Sequence, residues 1–414
     1  MTTESFSLLS RALRKKVAWN DTEALAVDGL DVDVYKLLYH SQNSRHLVGA
    51  SAYHCQEHDV TFSSECDGGP SDCDIESNNH FRYPLIRERR IGGALPRHRR
   101  AIILLHGLNE GSFSKYIPWA HQLWAKTGTP IILFPLTFHM NRVLPAWASL
   151  QTEIFQRRSA LAENDSAHRY NAIISERLDT HPARFFWGAV QTYLDLVDLA
   201  REIRAGRHPH FAPDARVDLV GYSAGGYFTL FLLMDDRERL FSDSRGVVFA
   251  SGIPIRELDL ASPLILDLTA EVALMKLFVK NVDPPASARM QHWFEHHGEG
   301  RWMRTFCGSK HTREKLERRF RESAPRLMGI ANTNDEVVPV GSMLNMLQGV
   351  KRDTGVQVLE LEMGVHENPF SAPSYEKGRP GRKLITEFFD EALYGKVFHQ
   401  FIDAIANHLS QPSG

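Results

Sequence analysis

The sequence predicts an α/β fold in which a mostly parallel sheet is flanked by helices. The first observation is a series of short apolar, β-branched runs at 101–105, 130–136, 217–221, 246–250, 326–331 and 356–362. The second is that helix-length amphipathic segments separate these runs, as crossovers between parallel strands require. The third is that the runs are almost continuously apolar, which is typical of strands covered by helices on both faces.

Apolar spacing also indicates where individual elements lie. Residues 186–203 carry apolar side chains at helical spacing, and 391–409 carry an apolar stripe that should dock against the sheet. Another helix should begin directly after Ser223. Two weaker strands are expected ahead of the main series, at 60–63 and 80–88, with an antiparallel direction suggested for them.

Three regions exceed this repeating unit. A long leader precedes the first strong strand, residues 139–185 expand one crossover beyond the usual length, and helical pieces near 270–279 and 312–322 interrupt the series between two strands. An insertion at that point lies over the C-terminal edge of the sheet, where open α/β sheets bind ligands. The expected division is an N-terminal extension at 1–95, a core at 96–251 and 326–414, and a cap or lid at 252–325.

Composition limits the class of partner. The 414 residues include 48 Lys and Arg against 50 Asp and Glu, so no net charge favours nucleic acid or an anionic membrane. Hydrophobic residues make up 43% and charged residues 24%, which is typical of a globular protein. We therefore expect a small-molecule substrate, no nucleic-acid partner, and an oligomeric state that the sequence leaves open.

The sequence also bears on location. No apolar run reaches the ~18 residues that cross a bilayer, and the N-terminal order of apolar and basic residues does not fit a signal peptide. The cysteines are too few for a disulfide scaffold and stand at Cys55, Cys66, Cys73 and Cys307. These features predict a cytoplasmic protein without integral membrane contact.

The strongest chemical signal is a strand, a tight turn and a helix start in that order. The turn reads Gly221-Tyr222-Ser223-Ala224-Gly225. A serine at such a turn has a strained backbone, which the glycines permit because they have no Cβ. Its Oγ then stands above the sheet, and the helix N-terminus offers N–H groups to a developing oxyanion. Ser223 is the predicted nucleophile, with a purely structural turn as the alternative.

In this pattern the sequence resembles the α/β-hydrolase superfamily, from about residue 100 to the C-terminus. That family orders its triad serine, acid, histidine along the chain. The resemblance implies Asp335 as the acid, because it precedes apolar residues and a proline, and His366 as the base, because it follows the last strand. A loop cap and a surface histidine are the respective alternatives. Other acids that remain open are Glu336, Glu257 and Asp259.

The resemblance also implies two oxyanion-hole donors. One is the backbone N–H of Ala224. The other comes from the loop after the first strong strand, where the sequence His-Gly-Leu-Asn-Glu-Gly at 106–111 looks like the family's His-Gly-x loop. Leu108 is the first choice and Asn109 the second. The family's three-glycine form is absent, which weakens the resemblance to that lipase branch.

Substrate-binding residues are predicted from weaker signals. Arg142 could bind a carboxylate or phosphate, or could pair with an acidic residue. Tyr222 adjoins the nucleophile. Trp293 and Trp302 belong to an aromatic group that could line a pocket or form the cap's own small core.

No metal and no cofactor are predicted. The nearest approach to a metal motif is the set His54, Cys55, His58, Cys66 and Cys73. Its spacing matches no tight paired-ligand pattern. The sequence has neither a Walker loop nor a dinucleotide fingerprint after the first strand.

These residues together predict a serine hydrolase acting on an ester, thioester or related acyl bond. His366 would take the proton of Ser223 as Oγ attacks the carbonyl, and Asp335 would hold the imidazole in place. Water would then hydrolyse the acyl-enzyme. The alternatives are an acyltransferase or peptidase on the same fold, and a hydrolase homologue that binds a ligand without turnover.

Overall fold

The computed structural model describes residues 8–9, 11–12, 25–27, 29–49, 51–65, 71–90, 92, 96–280, 287–307, 313–371, 374–375, 383–384 and 390–412. The strands are β1 (Leu25–Ala26), β2 (Val32–His40), β3 (Tyr53–Cys55), β4 (Val60–Phe62), β5 (His80–Glu88), β6 (His98–Leu105), β7 (Ile131–Phe134), β8 (Phe211–Tyr222), β9 (Gly246–Phe249), β10 (Leu327–Asn332), β11 (Gln357–Leu361), β12 (Ser374–Tyr375) and β13 (Lys383–Leu384). The helices are α1 (Glu76–Asn79), α2 (Ile117–Thr127), α3 (Trp147–Ser159), α4 (Ala172–Thr180), α5 (Ala183–Arg204), α6 (Ala224–Asp235), α7 (Leu268–Lys280), α8 (Ala288–His296), α9 (Gly298–Phe306), α10 (Arg313–Ser323), α11 (Val340–Leu347) and α12 (Glu391–Ser410).

The main sheet has the strand order β1-β2-β5-β7-β6-β8-β9-β10-β11. From β7 to β11 in that order, neighbouring strands pair in parallel. By contrast, β5 runs antiparallel to β2 and to β7, and β1 runs antiparallel to β2. The predicted α/β fold with a mostly parallel sheet is therefore confirmed.

All six apolar runs form strands, from β6 to β11. The weaker run at 80–88 is β5, whereas the run at 60–63 is β4, which pairs with β3 in a separate hairpin. The sequence did not predict β2. Its residues Asp33 and Lys36 interrupt the apolar pattern, although Asp33 is buried in the fold.

The central strands are apolar throughout because each sheet face is covered. In β6, Ile103 and Leu105 belong to a core shared with α5 and α6, whereas Ile102 and Leu104 face a second core with α2 and α12. Successive strand residues point to opposite faces, so a strand buried on both faces needs consecutive apolar side chains. Burying one such side chain contributes roughly 1.5–3 kcal/mol.

Helices α7 to α10 lie in the chain between β9 and β10. Here α7 contacts α4, while α9 packs against α6 and α8. The β3–β4 hairpin contacts α8, where the Arg289 guanidinium lies 3.9 Å from the ring centre of Tyr53. No helix in the described parts of the chain is long and apolar enough to cross a membrane.

Candidate active site

Ser223 occupies the tight turn between β8 and α6. Its backbone has φ 52° and ψ −119°, in the region that side chains rarely adopt. The flanking glycines are required by space, because a Cβ on Gly221 would overlap the carbonyl of Gly225, and one on Gly225 would overlap that of Leu105. The N–H of Ser223 donates to Phe249 in β9 at 2.9 Å, which fixes the turn to the sheet. The strained turn therefore holds the serine at the C-terminal edge of the sheet.

His366 lies between Ser223 and Asp335. Ser223 Oγ is 2.9 Å from His366 Nε2, and His366 Nδ1 is 2.7 Å from Asp335 Oδ2. A carboxylate only accepts hydrogen bonds, so a neutral His366 carries its proton on Nδ1 and accepts the serine hydroxyl proton at Nε2. Asp335 and His366 are both buried. The structure thus brings together the three residues that the sequence singled out.

The loop after β10 holds the Asp335 carboxylate in place. The backbone N–H groups of Val337 and Val338 donate to Asp335 Oδ1 at 2.9 and 2.7 Å. The other oxygen is left for His366. Glu257, Asp259 and Glu336, which the sequence left open as acids, are exposed.

Asn332, at the end of β10, joins the loops that carry the acid and the histidine. Its Nδ2 donates to the Gly364 carbonyl at 2.6 Å, and its Oδ1 accepts from the N–H groups of Met363 and Asn334, each at 3.1 Å. Asn332 is buried. One side chain therefore sets the separation between the two loops, a positioning residue that the sequence analysis missed.

The loop after β6 approaches the start of α6. The His106 carbonyl accepts from the Gly225 N–H at 3.0 Å. The Asn109 N–H donates to His139 Nε2 at 2.9 Å, and His139 Nδ1 donates to the Thr137 carbonyl at 2.8 Å. Burial lowers the pKa of His139 to about 4, so this histidine is neutral and able to accept. The N–H of Asn109, the second-choice oxyanion donor, is therefore already engaged.

A cavity of about 460 Å³ opens beside Ser223. Leu108 and Ala224, the first-choice oxyanion residues, line it together with Ser223. Within the described chain, no protein group accepts a hydrogen bond from either of their N–H groups. The remainder of the wall is largely apolar and includes Trp147, Phe185, Tyr227, Phe228, Phe231, Phe278, Met303 and Cys307.

Two arginines reach the cavity wall, Arg177 and Arg184. Both pair with the buried Asp72, at 3.0 and 3.1 Å. Arg177 also stacks on Phe138 and Trp147, at 4.4 and 4.3 Å from the ring centres. Asp72 offsets one of these two positive charges, and most of the remaining wall is apolar, which suits a largely apolar guest.

Arg142 does not face the cavity, so its proposed role in binding substrate anions is corrected. It is fully buried, and its Nη2 lies 2.8 Å from Asp195 Oδ2. Nε and Nη1 donate to Asn78 Oδ1 at 3.0 Å and to the Pro135 carbonyl at 3.1 Å. The alternative, pairing with an acidic residue, describes this side chain, and it ties the expanded loop to α5.

Trp293 and Trp302 are not among the described residues that line the cavity, which corrects their expected role as pocket walls. Trp293 is buried and stacks on His297 with ring centres 3.8 Å apart. Trp302 is buried below Lys315, whose Nζ lies 5.2 Å from its ring centre. Trp293 also packs against Tyr53 and Trp187, which lie outside 252–325, so the alternative of a core within the cap does not describe this residue either.

Tyr222 also lies behind the site and not in the cavity wall. It is buried, its hydroxyl donates to the backbone carbonyl of His366, and its ring centre is 5.4 Å from that imidazole. Lys115 Nζ lies 4.6 Å from the centre of the Tyr222 ring. Tyr222 thus contacts His366 and does not line the cavity.

Most residues of the cavity wall were not predicted from the sequence. Tyr227, Phe228 and Phe231 follow Ser223 on α6, and their clustering after the turn was a usable signal. Phe278 and Met303 come from other helices. No local spacing relates them to Ser223, so only the fold shows that they share one cavity.

Solved structures with some likeness to this chain include esterases. They are the carboxylesterase Cest-2923 from Lactobacillus plantarum WCFS1 (12% identity, 81% of this chain, 96% of that chain, TM-score 0.41), esterase Est22 (12%, 92%, 81%, 0.42) and the Pyrococcus furiosus esterase Pf2001 (11%, 81%, 88%, 0.40). None of these likenesses is close enough to indicate what this chain does. No curated protein matches the sequence. The model of a family of unknown function (DUF6051) matches residues 4–396, so the chain belongs to that family.

Proposed function

We propose that this protein is a serine hydrolase of the α/β-hydrolase type that cleaves esters carrying an apolar acyl group. The observation that carries the proposal is the continuous chain of contacts from Ser223 Oγ through His366 to Asp335, at 2.9 and 2.7 Å. A serine hydroxyl becomes an effective nucleophile when an adjacent base removes its proton and a third group orients that base. Ser223, at one end of this chain of contacts, lines the cavity.

In the proposed reaction, Ser223 Oγ attacks the ester carbonyl carbon while His366 Nε2 takes the hydroxyl proton. Asp335 stabilises the imidazolium that forms. The tetrahedral intermediate then collapses, the ester C–O bond breaks, and His366 returns the proton to the leaving alcohol. Water, deprotonated by the same histidine, attacks the acyl-enzyme and releases the carboxylic acid and free Ser223.

We assign the oxyanion hole to the backbone N–H groups of Leu108 and Ala224. Both residues line the cavity beside Ser223, and neither N–H donates to a protein acceptor within the described residues. The Asn109 N–H is bound to His139, which argues against the second choice. Backbone donors held in this way stabilise the developing oxyanion without reorganising during the reaction.

We further assign residues 252–325 as a cap that helps to close the acyl cavity. Phe278 and Met303 from this segment line the cavity together with Tyr227 and Phe231 from α6. Tyr227 donates to the Ile253 carbonyl at 2.7 Å, which ties the start of the segment to the helix behind Ser223. Residues 96–251 and 326–414 would then form the core, with 1–95 as an extension.

A cytoplasmic setting suits this proposal. Among the described cysteines, Cys55, Cys73 and Cys307 are free thiols. Free thiols persist where the compartment is reducing. The expected partner is a neutral small-molecule ester.

The first test is labelling with a fluorophosphonate probe, which modifies activated serines. Wild type should be labelled, and Ser223→Ala should not. Ser242→Ala is the matched control, because Ser242 is exposed and remote from the cavity residues. Failure of the wild type to react, or undiminished labelling of Ser223→Ala, would refute the serine-hydrolase proposal.

The second test is the acyl-chain preference on a series of p-nitrophenyl esters. Each methylene buried in the cavity contributes about 0.8 kcal/mol, so kcat/KM should rise by roughly fourfold per methylene until the cavity is full. Ala189→Phe, which fills part of the cavity, should shift the optimum to shorter chains. Ala160→Phe makes the same change on an exposed site and should leave the optimum in place. An optimum unmoved by Ala189→Phe would reject the cavity as the acyl site.

A further inference from the structure

One sulfur atom and several ring nitrogens lie close together on elements that do not carry Ser223. Cys55 ends β3 and His58 lies in the turn before β4, whereas His292 belongs to α8 and His297 follows it. Each of the four side chains offers one atom to a set in which all atoms lie within 4.8 Å of one another. Cys55 and His297 are 242 residues apart, so the group forms only when the hairpin packs on α8. We call these four residues the Cys55 cluster.

We propose that the Cys55 cluster is a structural zinc site of the Cys-His-His-His type. A thiolate and three imidazoles are the ligands that Zn²⁺ prefers, and four protein ligands leave no open coordination position. Such closed sites stabilise folds and do not activate water. The proposal is independent of the reaction assigned to Ser223.

The sulfur–nitrogen separations fit a common metal ligand set. Cys55 Sγ lies 3.5 Å from His58 Nδ1 and 3.5 Å from His297 Nε2. Bonds of about 2.3 Å to sulfur and about 2.0 Å to nitrogen, at a tetrahedral angle, hold the two ligand atoms about 3.5 Å apart. A small displacement of side chains would therefore suffice to bind the ion.

His292 supplies an independent indication. Its side chain is buried, with 9% of the residue exposed, and within the described residues its Nε2 has no hydrogen-bond partner. Its ring centre lies 4.9 Å from that of His58 and 5.5 Å from that of His297. A buried ring nitrogen without a partner is destabilising, and coordination to a cation would remove that cost.

The surroundings of His297 resemble the outer shell of a metal site. Its Nε2 faces Cys55, while its Nδ1 lies 3.6 Å from Glu57 Oε2 and 3.8 Å from Glu299 Oε1. Glu299 is fully buried. Metal-bound histidines commonly present their second nitrogen to a carboxylate, which orients the ring and makes it a better ligand. Trp293 stacks flat on the His297 ring and holds its plane, with 4° between the planes.

The site would add a further link between two parts of the chain that Arg289 already joins, through Glu65 at 3.2 Å and the ring of Tyr53. One ligand pair comes from the β3–β4 hairpin, and the other from α8, which contacts α9. Met303 in α9 lines the acyl cavity. Zinc would thus stabilise the segment that closes the cavity, at a distance from the reacting atoms.

This proposal departs from the sequence prediction that no metal is bound. Cys55 and His58 were recognised, but they were grouped with His54, Cys66 and Cys73 from the same stretch of chain. His54 and Cys73 do not belong to the cluster, and Cys66 lies outside the described residues. The second ligand pair comes from a segment more than two hundred residues away, as the separation of Cys55 and His297 shows.

The test is metal analysis of the full chain, purified from zinc-supplemented cells and passed through a desalting column. Wild type should retain about one zinc per chain. Cys55→Ser and His297→Ala should each lose most of it, while Cys73→Ser, a matched thiol substitution outside the cluster, should retain it. Circular dichroism and gel filtration report whether each variant is folded, and both should match wild type in all three.

Cobalt substitution covers the case in which a variant does not fold. Wild type, stripped with a chelator and loaded with Co²⁺, should show the visible bands of a tetrahedral ion and a thiolate-to-metal charge-transfer band. Chelation alone should lower the melting temperature by several degrees, and zinc should restore it. A wild type that retains neither zinc nor cobalt after desalting would overturn the proposal, leaving a cluster held by thiol–imidazole hydrogen bonds. Equal zinc in the Cys55→Ser/His297→Ala double variant would overturn it as well.

Discussion

Histidines at two places in this molecule differ in the atoms that their ring nitrogens contact. At the candidate active site, His366 has a carboxylate acceptor at Nδ1 and a hydroxyl donor at Nε2. In the Cys55 cluster, His292 and His297 point nitrogens toward the same sulfur-containing group, and His292 Nε2 meets no partner within the described chain. An imidazole between an acceptor and a donor is arranged to move a proton, whereas imidazoles whose lone pairs converge are arranged to bind a cation.

The difference follows from where the residues stand in the fold. Ser223, Asp335 and His366 come from loops after strands of one sheet, so the sheet edge sets their separations. The Cys55 cluster depends on contact between a hairpin and a helix of the 252–325 segment. A site built on the sheet should be intact without any added ion. A site built across a contact between segments benefits from an ion that closes it.

The largest expected effect is a double dissociation between His366→Ala and His297→Ala. His366→Ala removes the proposed base, so kcat should fall by roughly 10⁶-fold. The variant should keep its zinc, because the His366 ring belongs to the candidate active site alone. His297→Ala should lose zinc and keep kcat within about threefold. Ester kinetics and elemental analysis on the same preparations measure both. Zinc loss in His366→Ala, or a large fall in kcat in His297→Ala, would show that the two sites are not independent.

A smaller effect is expected for Asp335→Asn. An amide can donate as well as accept, so it no longer favours the tautomer with the proton on Nδ1, and kcat should fall by roughly 10⁴-fold. Glu336→Gln is the matched control. Its side chain is exposed and next in sequence, so turnover should stay near that of wild type. The reverse ranking of the two variants would transfer the acid's role to Glu336.

His139 extends the comparison to stability. Like His366 it has an acceptor at Nδ1 and a donor at Nε2, but burial lowers its pKa in the folded state from 6.5 to about 4. Nearby Arg142 also opposes protonation, and the ring centre of His106 lies 5.2 Å away. Between pH 6.5 and 4 the unfolded chain binds a proton that the folded chain does not. Stability contributed by neutral His139 is therefore complete above pH 6.5 and is lost as the pH falls toward 4.

For a change from pH 8 to pH 5, this one group accounts for about 2 kcal/mol of lost unfolding free energy. Urea denaturation of wild type and His139→Gln at both values measures it. The variant should be less stable at pH 8, and its own loss on acidification should be about 2 kcal/mol smaller. His54→Gln, an exposed histidine, serves as the control and should leave the loss unchanged. Equal losses in wild type and His139→Gln would show that His139 does not contribute.

The sequence could single out the three residues of the candidate active site because each comes shortly after a strand. Ser223 stands between an apolar strand and a helix, and Asp335 and His366 come just after two later strands. Predicting these strands therefore also predicted which residues lie at the edge of the sheet. The same reading predicted the sheet from β6 to β11. It could not predict β2, because the polar residues Asp33 and Lys36 give this segment the pattern of a loop. Its pairing with β5 is visible only in the fold.

Side chains that depend on distant contacts lay beyond the sequence. Arg142 looked equally suited to an anion and to a structural pair, and only the position of Asp195 on α5 decides between them. Trp293 and Trp302 resembled a pocket wall because aromatic residues suit both a pocket and a core. The ligands of the Cys55 cluster were divided between two segments, so no spacing rule could unite them.

The smallest effect we predict concerns Tyr222, whose hydroxyl donates to the His366 carbonyl. Tyr222→Phe keeps the ring beside the imidazole but removes a neutral hydrogen bond, worth about 0.5–1.5 kcal/mol, that positions the base. We expect kcat to fall by up to roughly tenfold with KM unchanged, because Tyr222 does not line the cavity. Tyr39→Phe removes an equivalent bond, from a hydroxyl to the Asp195 carbonyl at 2.8 Å, away from the reactive site. It should lower stability to a similar degree and leave kcat unaltered. If both variants lost kcat equally, Tyr222 would be a packing residue, and the precise placement of His366 would rest on Asp335 and Asn332 alone.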